Sequence, residues 1–298
     1  MKKMLQRLLI FFIGLPLVVF VVCFLPYFHH LALNLTVIVF SALGAAELAA
    51  ILEKKGLRVP KTEAMILGAL LPAAETLALS LNWDDWVTTA FFAAGVFWIL
   101  VSVVFFRLKD MDRCVNRIAA GFTVLIYPGF LLEWIIKMGG WERAEIIIIV
   151  FLLSVMGNDS TAWAAGMLLG RGNRGIIPAS PNKSVAGFIG GTIASIAVGA
   201  GAALLFPGVF VPRFDSVFFI SSAPCAGIIL GLLSGIAAAL GDLSESAIKR
   251  SSGSKDSGHI MPGRGGVLDS IDSITLAAPV FYLVFSLLFK QPQSRMLL

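Results

Sequence analysis

Long apolar stretches recur along the chain and are separated by short polar segments. Each stretch holds about 20 mostly apolar residues, which is the length that an α-helix needs to cross the hydrocarbon core of a bilayer. The pattern predicts an all-α, polytopic integral membrane protein with about nine transmembrane helices. The predicted spans are 8–28, 31–52, 63–82, 86–106, 118–136, 145–168, 185–206, 224–247 and 273–289.

Basic residues are concentrated in alternate loops. Most of the 23 Lys and Arg residues lie before the first span or after spans two, four, six and eight, whereas the other loops hold few. Positive charge near membrane helices favours the cytoplasmic side, so we expect a cytoplasmic N-terminus and an external C-terminus. The first stretch is longer than the core of a signal peptide and no small-residue cleavage site follows it, so we expect a retained helix.

Composition excludes several classes of protein. Of the 298 residues, 58% are apolar and only 14% are charged, about half the charged share of an average soluble domain. A soluble enzyme, a disordered chain and a coiled coil are therefore excluded. The net charge of +5 comes from residues spread over short loops, so we expect no nucleic-acid partner. Cys23, Cys114 and Cys225 have no spacing typical of a disulfide framework or a zinc site.

Polar chemistry is unevenly distributed and divides the chain into two predicted regions. Residues 1–143 form an N-terminal transmembrane helical region with few polar groups inside its spans. Residues 144–298 form a C-terminal transmembrane catalytic region. Within it, the segments 158–191 and 241–273 hold most of the unusual polar residues, and both are predicted at the cytoplasmic side.

The segment 241–273 combines acids, bases and a glycine-rich turn. Asp242, Glu245 and Lys249 share one helical face, and Asp269 and Asp272 share another at the start of the last span. Crowded carboxylates repel one another, and a hard cation such as Mg²⁺ with phosphate ligands would relieve that repulsion. The turn at 262–266 offers backbone N–H groups to phosphate oxygens. Together these features predict phosphoryl or nucleotidyl transfer at the membrane surface.

The segment 158–191 carries a second set of polar and small residues. Asp159, Gly166 and Gly170 fall on one helical face, where small residues permit close helix packing or close approach of a ligand. The run from Ser180 to Ser184 then places hydroxyls and the cation Lys183 just before a predicted helix. A helix N-terminus itself attracts anions, so this run is a candidate phosphate site.

These motifs resemble those of one enzyme family. The run Ser246-x-x-Lys249-Arg250-x4-Lys255-Asp256-x-Gly258-x3-Pro262-Gly263-x-Gly265-Gly266-x-x-Asp269-x-x-Asp272 is similar to the C-terminal signature of phosphatidate cytidylyltransferases, also called CDP-diacylglycerol synthases. The run Gly241-Asp242-Leu-x-Glu245-Ser246 resembles the motif that precedes it. The upstream runs around Asp159 and Ser180 also resemble family motifs. The resemblance covers about residues 150–290 with specific motifs.

The resemblance implies a reaction, a cofactor and a set of site residues. CTP and phosphatidic acid would give CDP-diacylglycerol and pyrophosphate with Mg²⁺, at the cytoplasmic face of the cell inner (plasma) membrane. A homodimer is left open. The implied roles are catalytic for Asp242, Asp269, Lys249, Lys255 and Asp256, metal-binding for Asp242, Asp269 and Glu245, and substrate-binding for Asp159, Ser180, Lys183, Ser184, Arg250, Gly263, Arg264, Gly265 and Gly266.

Three positions depart from the family pattern, and two alternative functions stay open. Arg264 replaces the usual His, Ser270 the usual Arg, and Ala186 the usual Glu. A CTP-dependent transferase with another lipid acceptor would accommodate these changes. An ion- or proton-coupled transporter would instead use acids inside the spans, such as Glu47, Glu75 and Glu133, for which we expect structural or interfacial roles. The unusual polar residues cluster on one side of the membrane, which favours the enzyme.

Overall fold

The computed structural model describes residues 14, 16–105, 113–213, 222–261, 263 and 265–290. In these ranges, eight helices are long and apolar enough to cross a membrane, and β-pairing is limited to isolated bridges. The helices are α1 (Tyr27–Glu53), α2 (Lys61–Ser80), α3 (Trp86–Phe105), α4 (Cys114–Met138), α5 (Ala144–Leu169), α6 (Val185–Leu205), α7 (Ala223–Ser251) and α8 (Leu268–Leu288). The predicted all-α membrane fold is confirmed.

The eight helices correspond to predicted spans two to nine, with ends that agree within about five residues. Of the first predicted span, 8–28, the structure describes residues 14 and 16–28, of which 16–24 are helical, and residues 8–13 and 15 lie outside the described residues. The predicted break before the second span is present, because residues 28–30 adopt positive φ angles of 52° to 59° inside α1. Residues other than glycine rarely adopt such angles, so the helix axis is interrupted there.

The chain forms two compact units. Unit 1 comprises residues 1–137 and 248–271, and unit 2 comprises residues 138–247 and 272–298. The first boundary lies close to the predicted division at 143/144. The predicted regions are contiguous in sequence, whereas the structural units are not, because residues 248–271 pack with unit 1. Helices α7 and α8 each contribute residues to both units.

Close backbone contacts hold the helices of unit 1 together. Gly68 of α2 lies directly against Ala45 and the carbonyl of Ser41 on α1. The Ser41 hydroxyl lies within hydrogen-bond distance of the carbonyls of Gly68 and Pro128, and its single proton can serve one of them at a time. Residues Leu125–Phe130 of α4 form a π-helical turn. Pro128 lies in this turn and has no N–H to donate, which explains why the regular helical ladder is interrupted here.

Two of the acids inside spans share one lysine within unit 1. Lys137 Nζ lies 3.1 Å from Glu133 Oε1 and 3.9 Å from Glu75 Oε2. The Thr88 hydroxyl also donates to Glu75 Oε2 at 2.7 Å. Nearer the other end of α2, Glu63 pairs with Arg117 at 2.8 Å. Such pairing offsets the cost of placing ionisable groups among apolar helices.

Unit 2 combines a stripe of small residues with an aromatic cluster. Helices α5 and α6 approach closely because Gly187, Gly190 and Gly191 of α6 lie against the backbone and small side chains of α5. The same kind of approach joins α6 and α7, where Gly199 and Gly231 lie against facing backbone. An aromatic cluster also packs within the unit, and its contacting rings have centroid distances of 4.4 to 5.5 Å; its members are Trp141, Phe151, Phe210, Phe281, Tyr282, Phe285 and Phe289.

Candidate active site

The predicted site residues divide between the two units, and each unit gathers its own set. Unit 1 holds Lys249, Arg250, Lys255, Asp256, Gly263, Gly265, Gly266 and Asp269, while unit 2 holds Asp159, Ser180, Lys183, Ser184, Asp242 and Glu245. Arg264 lies outside the described residues.

Asp269 is the centre of the unit 1 set. It lies in the first turn of α8, and its side chain is only 8% exposed. Lys249 Nζ pairs with Oδ1. Three donors lie within hydrogen-bond distance of Oδ2: the backbone N–H of Gly266 at 2.7 Å, and the N–H and the hydroxyl of Ser257, each at 2.8 Å. A carboxylate has about four lone-pair positions, so this network occupies Asp269 fully. Lys249 would have to leave Oδ1 before that oxygen could bind a metal ion.

The glycine-rich turn of unit 1 is a tight loop closed by its own backbone. Met261 and Gly265 exchange two N–H···O bonds at 2.9 and 3.0 Å. Gly263 and Gly265 have φ angles of 77° and 111°, which only glycine adopts without strain. The N–H groups of Gly265 and Gly266 already donate to Met261 and Asp269. Phosphate binding through these two N–H groups would therefore require that they exchange partners.

Glu47 joins this set, although the sequence analysis did not include it among the site residues. It lies on α1 and is 7% exposed. Its carboxylate accepts from the N–H of Val267 at 3.0 Å, the N–H of Leu268 at 2.9 Å and the Ser257 hydroxyl at 2.9 Å. An acid inside a span was the available signal, but nothing in the sequence connects residue 47 with a loop 210 residues later.

The unit 2 set is a group of carboxylates with a lysine. Lys183 Nζ lies 2.5 Å from Asp242 Oδ2, and the Ser246 hydroxyl lies 3.4 Å from Asp242 Oδ1. The Ser273 hydroxyl donates to Asp159 Oδ1 at 3.1 Å. The carboxylates of Asp159, Asp242 and Glu245 are close enough to Asp272 to repel its negative charge. Four acids from α5, α7 and α8 therefore converge in unit 2, including the predicted residues Asp159, Asp242 and Glu245.

Close helix packing places these acids together. Gly241 precedes Asp242 on α7, and a Cβ atom at this position would overlap the backbone carbonyl of Asp272 on α8. Because Gly241 has no side chain, the two helix backbones can meet here. Glu245 lies one turn further along α7 and is completely buried. The predicted i, i+3 spacing of Asp242 and Glu245 is thus realised on a helix.

The segment between α5 and α6 places Lys183 beside Asp242. Ser184 is the N-cap of α6, and its hydroxyl accepts from the N–H of Gly187 at 3.0 Å. Gly166 of α5 and Gly170, which directly follows α5, leave room for that same hydroxyl. The predicted start of a helix after Ser184 is therefore correct, and the small face of α5 serves helix packing. Ser184 is buried, whereas Ser180 is half-buried in the preceding turn.

The remaining predicted residues of unit 1 face outward. Arg250 lies at the end of α7, and Lys255 and Asp256 lie in the loop that follows; all three are exposed. Their accessible charges are compatible with contact to a substrate from the aqueous side. A binding or catalytic role for each of them stays a prediction.

The donor chemistry of unit 2 suits a hard divalent cation. Carboxylate oxygens are the ligands that Mg²⁺ prefers, and a cation would relieve the repulsion among Asp159, Asp242 and Asp272. Over the part of the chain that the structure describes, no three His, Cys, Asp or Glu side chains are already arranged to hold a metal ion. Lys183 occupies one oxygen of Asp242 in this arrangement.

Comparison with known proteins shows which family the chain belongs to. The model of the cytidylyltransferase family matches residues 5–288, which is nearly the whole chain. A Brucella abortus protein named phosphatidate cytidylyltransferase is 38% identical over 172 residues, covering 56% of this chain and 57% of that protein.

Proteins of the same name from two other bacteria are similar to this chain. The Mycobacterium bovis protein is 32% identical over 167 residues, which cover 56% of this chain and 45% of that protein. The Haemophilus influenzae protein is 40% identical over 138 residues, which cover 46% of this chain and 44% of that protein. The chain thus aligns with about half the length of these curated relatives.

Proposed function

Because the chain belongs to the cytidylyltransferase family, we propose that it transfers the cytidylyl group of CTP to phosphatidic acid. A phosphate oxygen of the lipid would attack the α-phosphorus of CTP. A new P–O bond forms as the bond between the α-phosphorus and the bridging oxygen breaks, so that CDP-diacylglycerol and pyrophosphate are the products. The observation that carries this proposal is the family match across nearly all of the chain, including the segment that contains Asp242 and Asp269.

The side chains present suit this chemistry without a strong general base. The attacking lipid phosphate is anionic at neutral pH, so catalysis would consist of positioning and charge neutralisation. Lys183 in unit 2 and Lys249 in unit 1 are cations held beside acids, and phosphate groups would compete for them. Lys255, Asp256 and Arg250 supply further charge at the surface of unit 1, and Asp159, Ser180 and Ser184 supply oxygen groups in unit 2.

Mg²⁺ is the cofactor that we propose, with Asp242, Asp269 and Glu245 as the acids that serve it. When bound with nucleotide phosphates, the ion would neutralise charge that develops on the leaving pyrophosphate. Asp242 is one of three acids that lie near Asp272, and this convergence of acids supports its part in the proposal. Asp269 would bind the ion through Oδ1 after Lys249 has moved from that oxygen to a phosphate. Glu245 is completely buried, so it would bind the ion only if the helices around it moved apart.

The membrane location of the reaction is also part of the proposal. The chain is a multi-pass membrane protein, and the relatives are bacterial. We place it in the inner (plasma) membrane with the reaction at the cytoplasmic face, where the nucleotide is available. The Lys and Arg excess of the loops at 54–61, 107–117, 171–183 and 250–268 supports this orientation. A homodimer and the lack of a nucleic-acid partner stay predictions.

The proposal is tested with purified full-length protein, radiolabelled CTP, phosphatidic acid and Mg²⁺. We expect labelled lipid and an equal amount of pyrophosphate, and we expect chelation of divalent cations to abolish both. The control is the same protein incubated without phosphatidic acid, which should form no labelled lipid. Folded protein that forms neither product from phosphatidic acid would contradict the proposal. Product formed only with a different phospholipid would favour the transferase with another acceptor. The family match favours either enzyme over the transporter.

A further inference from the structure

We propose that Glu47 of α1 is a positioning residue for the loop that precedes α8, and that it acts through Ser257 on Asp269. The functional part of this inference rests on the proposed cytidylyl transfer. The structural part concerns how the described residues of this loop, 252–261, 263 and 265–267, here called the signature loop, are held in unit 1. Glu47 belongs to none of the motifs that carry the family resemblance, which all lie beyond residue 150.

The first argument is the set of donors that Glu47 satisfies. The N–H groups of Val267 and Leu268 lie at the start of α8, where backbone donors have no partner inside the helix. Glu47 Oε1 accepts one of them and Oε2 accepts the other. A negative charge at a helix N-terminus is also favoured by the helix dipole. Glu47 thus caps α8 from a distant helix and fixes where α8 begins.

The second argument is the position of two glycines of the signature loop. A Cβ atom at Gly258 would overlap Glu47 Oε1, and a Cβ atom at Gly266 would overlap both Ser257 Oγ and Glu47 Oε2. Gly258 has no positive φ, so backbone conformation does not require a glycine there. The Glu47 carboxylate fills the space that a side chain at position 258 would occupy, so a larger residue there would displace Glu47 from its contacts. Gly258 therefore gives way to Glu47, and Gly266 gives way to Glu47 and Ser257 together.

The third argument is the connection from Glu47 to Asp269. The Ser257 hydroxyl lies 2.9 Å from Glu47 Oε2 and 2.8 Å from Asp269 Oδ2, and its single proton can serve one of them at a time. The Ser257 N–H donates to Asp269 Oδ2 whichever carboxylate receives the hydroxyl proton. A change at Glu47 would shift the Ser257 hydroxyl towards Asp269, and hence alter how Asp269 pairs with Lys249.

A second contact from α1 supports the same function of this helix. Lys54 Nζ lies 2.7 Å from the Ser254 hydroxyl, near the start of the signature loop. The end of α1 therefore contacts the loop near both of its ends, through Lys54 and Glu47. This pairing gives a physical reason why residues 248–271 pack with unit 1.

The test compares Glu47→Gln with Glu53→Gln in the full-length protein. The Gln amide keeps the size of Glu47 but replaces one acceptor oxygen by a donor, which would face a backbone N–H or the Ser257 hydroxyl. Glu53 is on the same helix, is exposed and pairs with Arg58, so it is the matched control. Amide hydrogen exchange reports the loop directly and needs no substrate. We expect exchange at Val267 and Leu268 to quicken by roughly tenfold or more in Glu47→Gln, the effect of losing a charge-assisted hydrogen bond.

Kinetics then test the connection to Asp269. We expect Glu47→Gln to lower kcat by roughly tenfold or more per folded molecule, with Glu53→Gln unchanged. Combining Glu47→Gln with Ser257→Ala should cost less than the two single effects together, because both remove the same link. Additive effects, or exchange and turnover equal to those of Glu53→Gln, would overturn the inference.

Two further results separate this inference from the proposed function and from simple loss of folding. If the wild-type protein forms no CDP-diacylglycerol, the proposed function fails, while the exchange experiment still decides whether Glu47 holds the loop. If Glu47→Gln does not fold, Ser257→Ala replaces it, since it leaves both Glu47 contacts to α8 in place. Turnover by Ser257→Ala equal to wild type would then overturn the connection to Asp269.

Discussion

Lys183 and Asp242 form an ion pair whose two side chains are 33% and 29% exposed. Both groups are partly exposed at the protein surface, so a nucleotide phosphate could compete for the lysine and a cation could compete for the acid. The pair therefore holds both groups in position before substrate binds, and contributes little stability of its own at this exposure. This separates Asp242 from Glu245, which has no access to water.

We expect Asp242→Asn to lower kcat by about 10² or more, because it removes one charge that would stabilise the transition state. The measurement is turnover of CTP and phosphatidic acid at saturating Mg²⁺. Asp84→Asn is the control, since Asp84 is an exposed loop acid in unit 1. Turnover of Asp242→Asn within a few-fold of Asp84→Asn would reject the role of Asp242.

Asp269→Asn should also lower kcat by about 10² or more. Two effects contribute to this loss, because the variant loses both a charge in the site and the ion pair with Lys249. An amide would still accept from Gly266 and Ser257 through its oxygen, whereas its NH₂ group would face Lys249 and lose the ion pair. We therefore expect a loss of thermal stability as well, which Asp242→Asn should not show to the same degree. Equal stability and near wild-type turnover of Asp269→Asn would contradict this assignment.

Arg264 carries a prediction that comes from the sequence alone. Its position between Gly263 and Gly265, in a glycine-rich turn flanked by acids, predicts contact with a phosphate, which a guanidinium can bind through two N–H groups. We expect Arg264→Ala to raise KM or lower kcat by roughly tenfold or more, and Arg264→His to keep part of the activity. Unchanged KM for both substrates together with unchanged kcat would show that the side chain is not used.

At the scale of helices, the contact of α7 with α8 at Gly241 sets where the unit 2 acids stand. A methyl group at Gly241 would meet backbone atoms of Asp272 and Ser273, which cannot rotate away as a side chain can. We expect Gly241→Ala to destabilise the protein by about 1–3 kcal/mol, the usual cost of overpacking, and to lower turnover. Thermal unfolding in detergent measures the first effect.

Gly157→Ala is the control for that change. Gly157 also lies within a helix of unit 2, but a Cβ atom there would meet no atom within 4 Å. Alanine favours a helix over glycine, so this variant should be at least as stable as wild type. If Gly241→Ala unfolds at the same temperature as Gly157→Ala, the close contact of α7 with α8 does not limit stability.

The helices could be predicted from the sequence because their signal is local. An apolar run of about 20 residues is visible without knowledge of its neighbours, and α3 and α6 begin at the predicted residues 86 and 185. Helix α8 begins five residues before the prediction, at Leu268. Its start depends on Glu47, which is distant in sequence, and hydropathy cannot detect a cap supplied by another helix.

The candidate site could be predicted only in part for the same reason. Asp242 and Glu245 share a helical face, as their spacing indicates. The partner of each acid depends on tertiary packing, however, so the pairs Lys183–Asp242 and Lys249–Asp269 could not be derived from spacing. The glycines of the signature loop indicated room for phosphate, whereas Gly258 and Gly266 make room for Glu47.

At the scale of the whole molecule, the side of the membrane that each loop faces is the remaining prediction from charge. Cysteine labelling tests it once Cys23, Cys114 and Cys225, which are all free thiols, have been replaced. Single cysteines at Lys55 and Ser251 report predicted cytoplasmic positions, and one at Asp84 reports a predicted external position. All three residues are exposed, whereas Ser254 is buried and would label poorly on either side.

We expect a membrane-impermeant maleimide to label the Asp84→Cys variant in intact cells, and the other two only after lysis. The reason is the concentration of Lys and Arg at 54–61 and 249–264, which resists transfer across the membrane. CTP is a cytosolic nucleotide, so this orientation is a condition of the proposed reaction and not only a property of the fold. Labelling of Ser251→Cys from outside intact cells would put the end of α7, and with it Lys249 and Arg250, on the side without nucleotide.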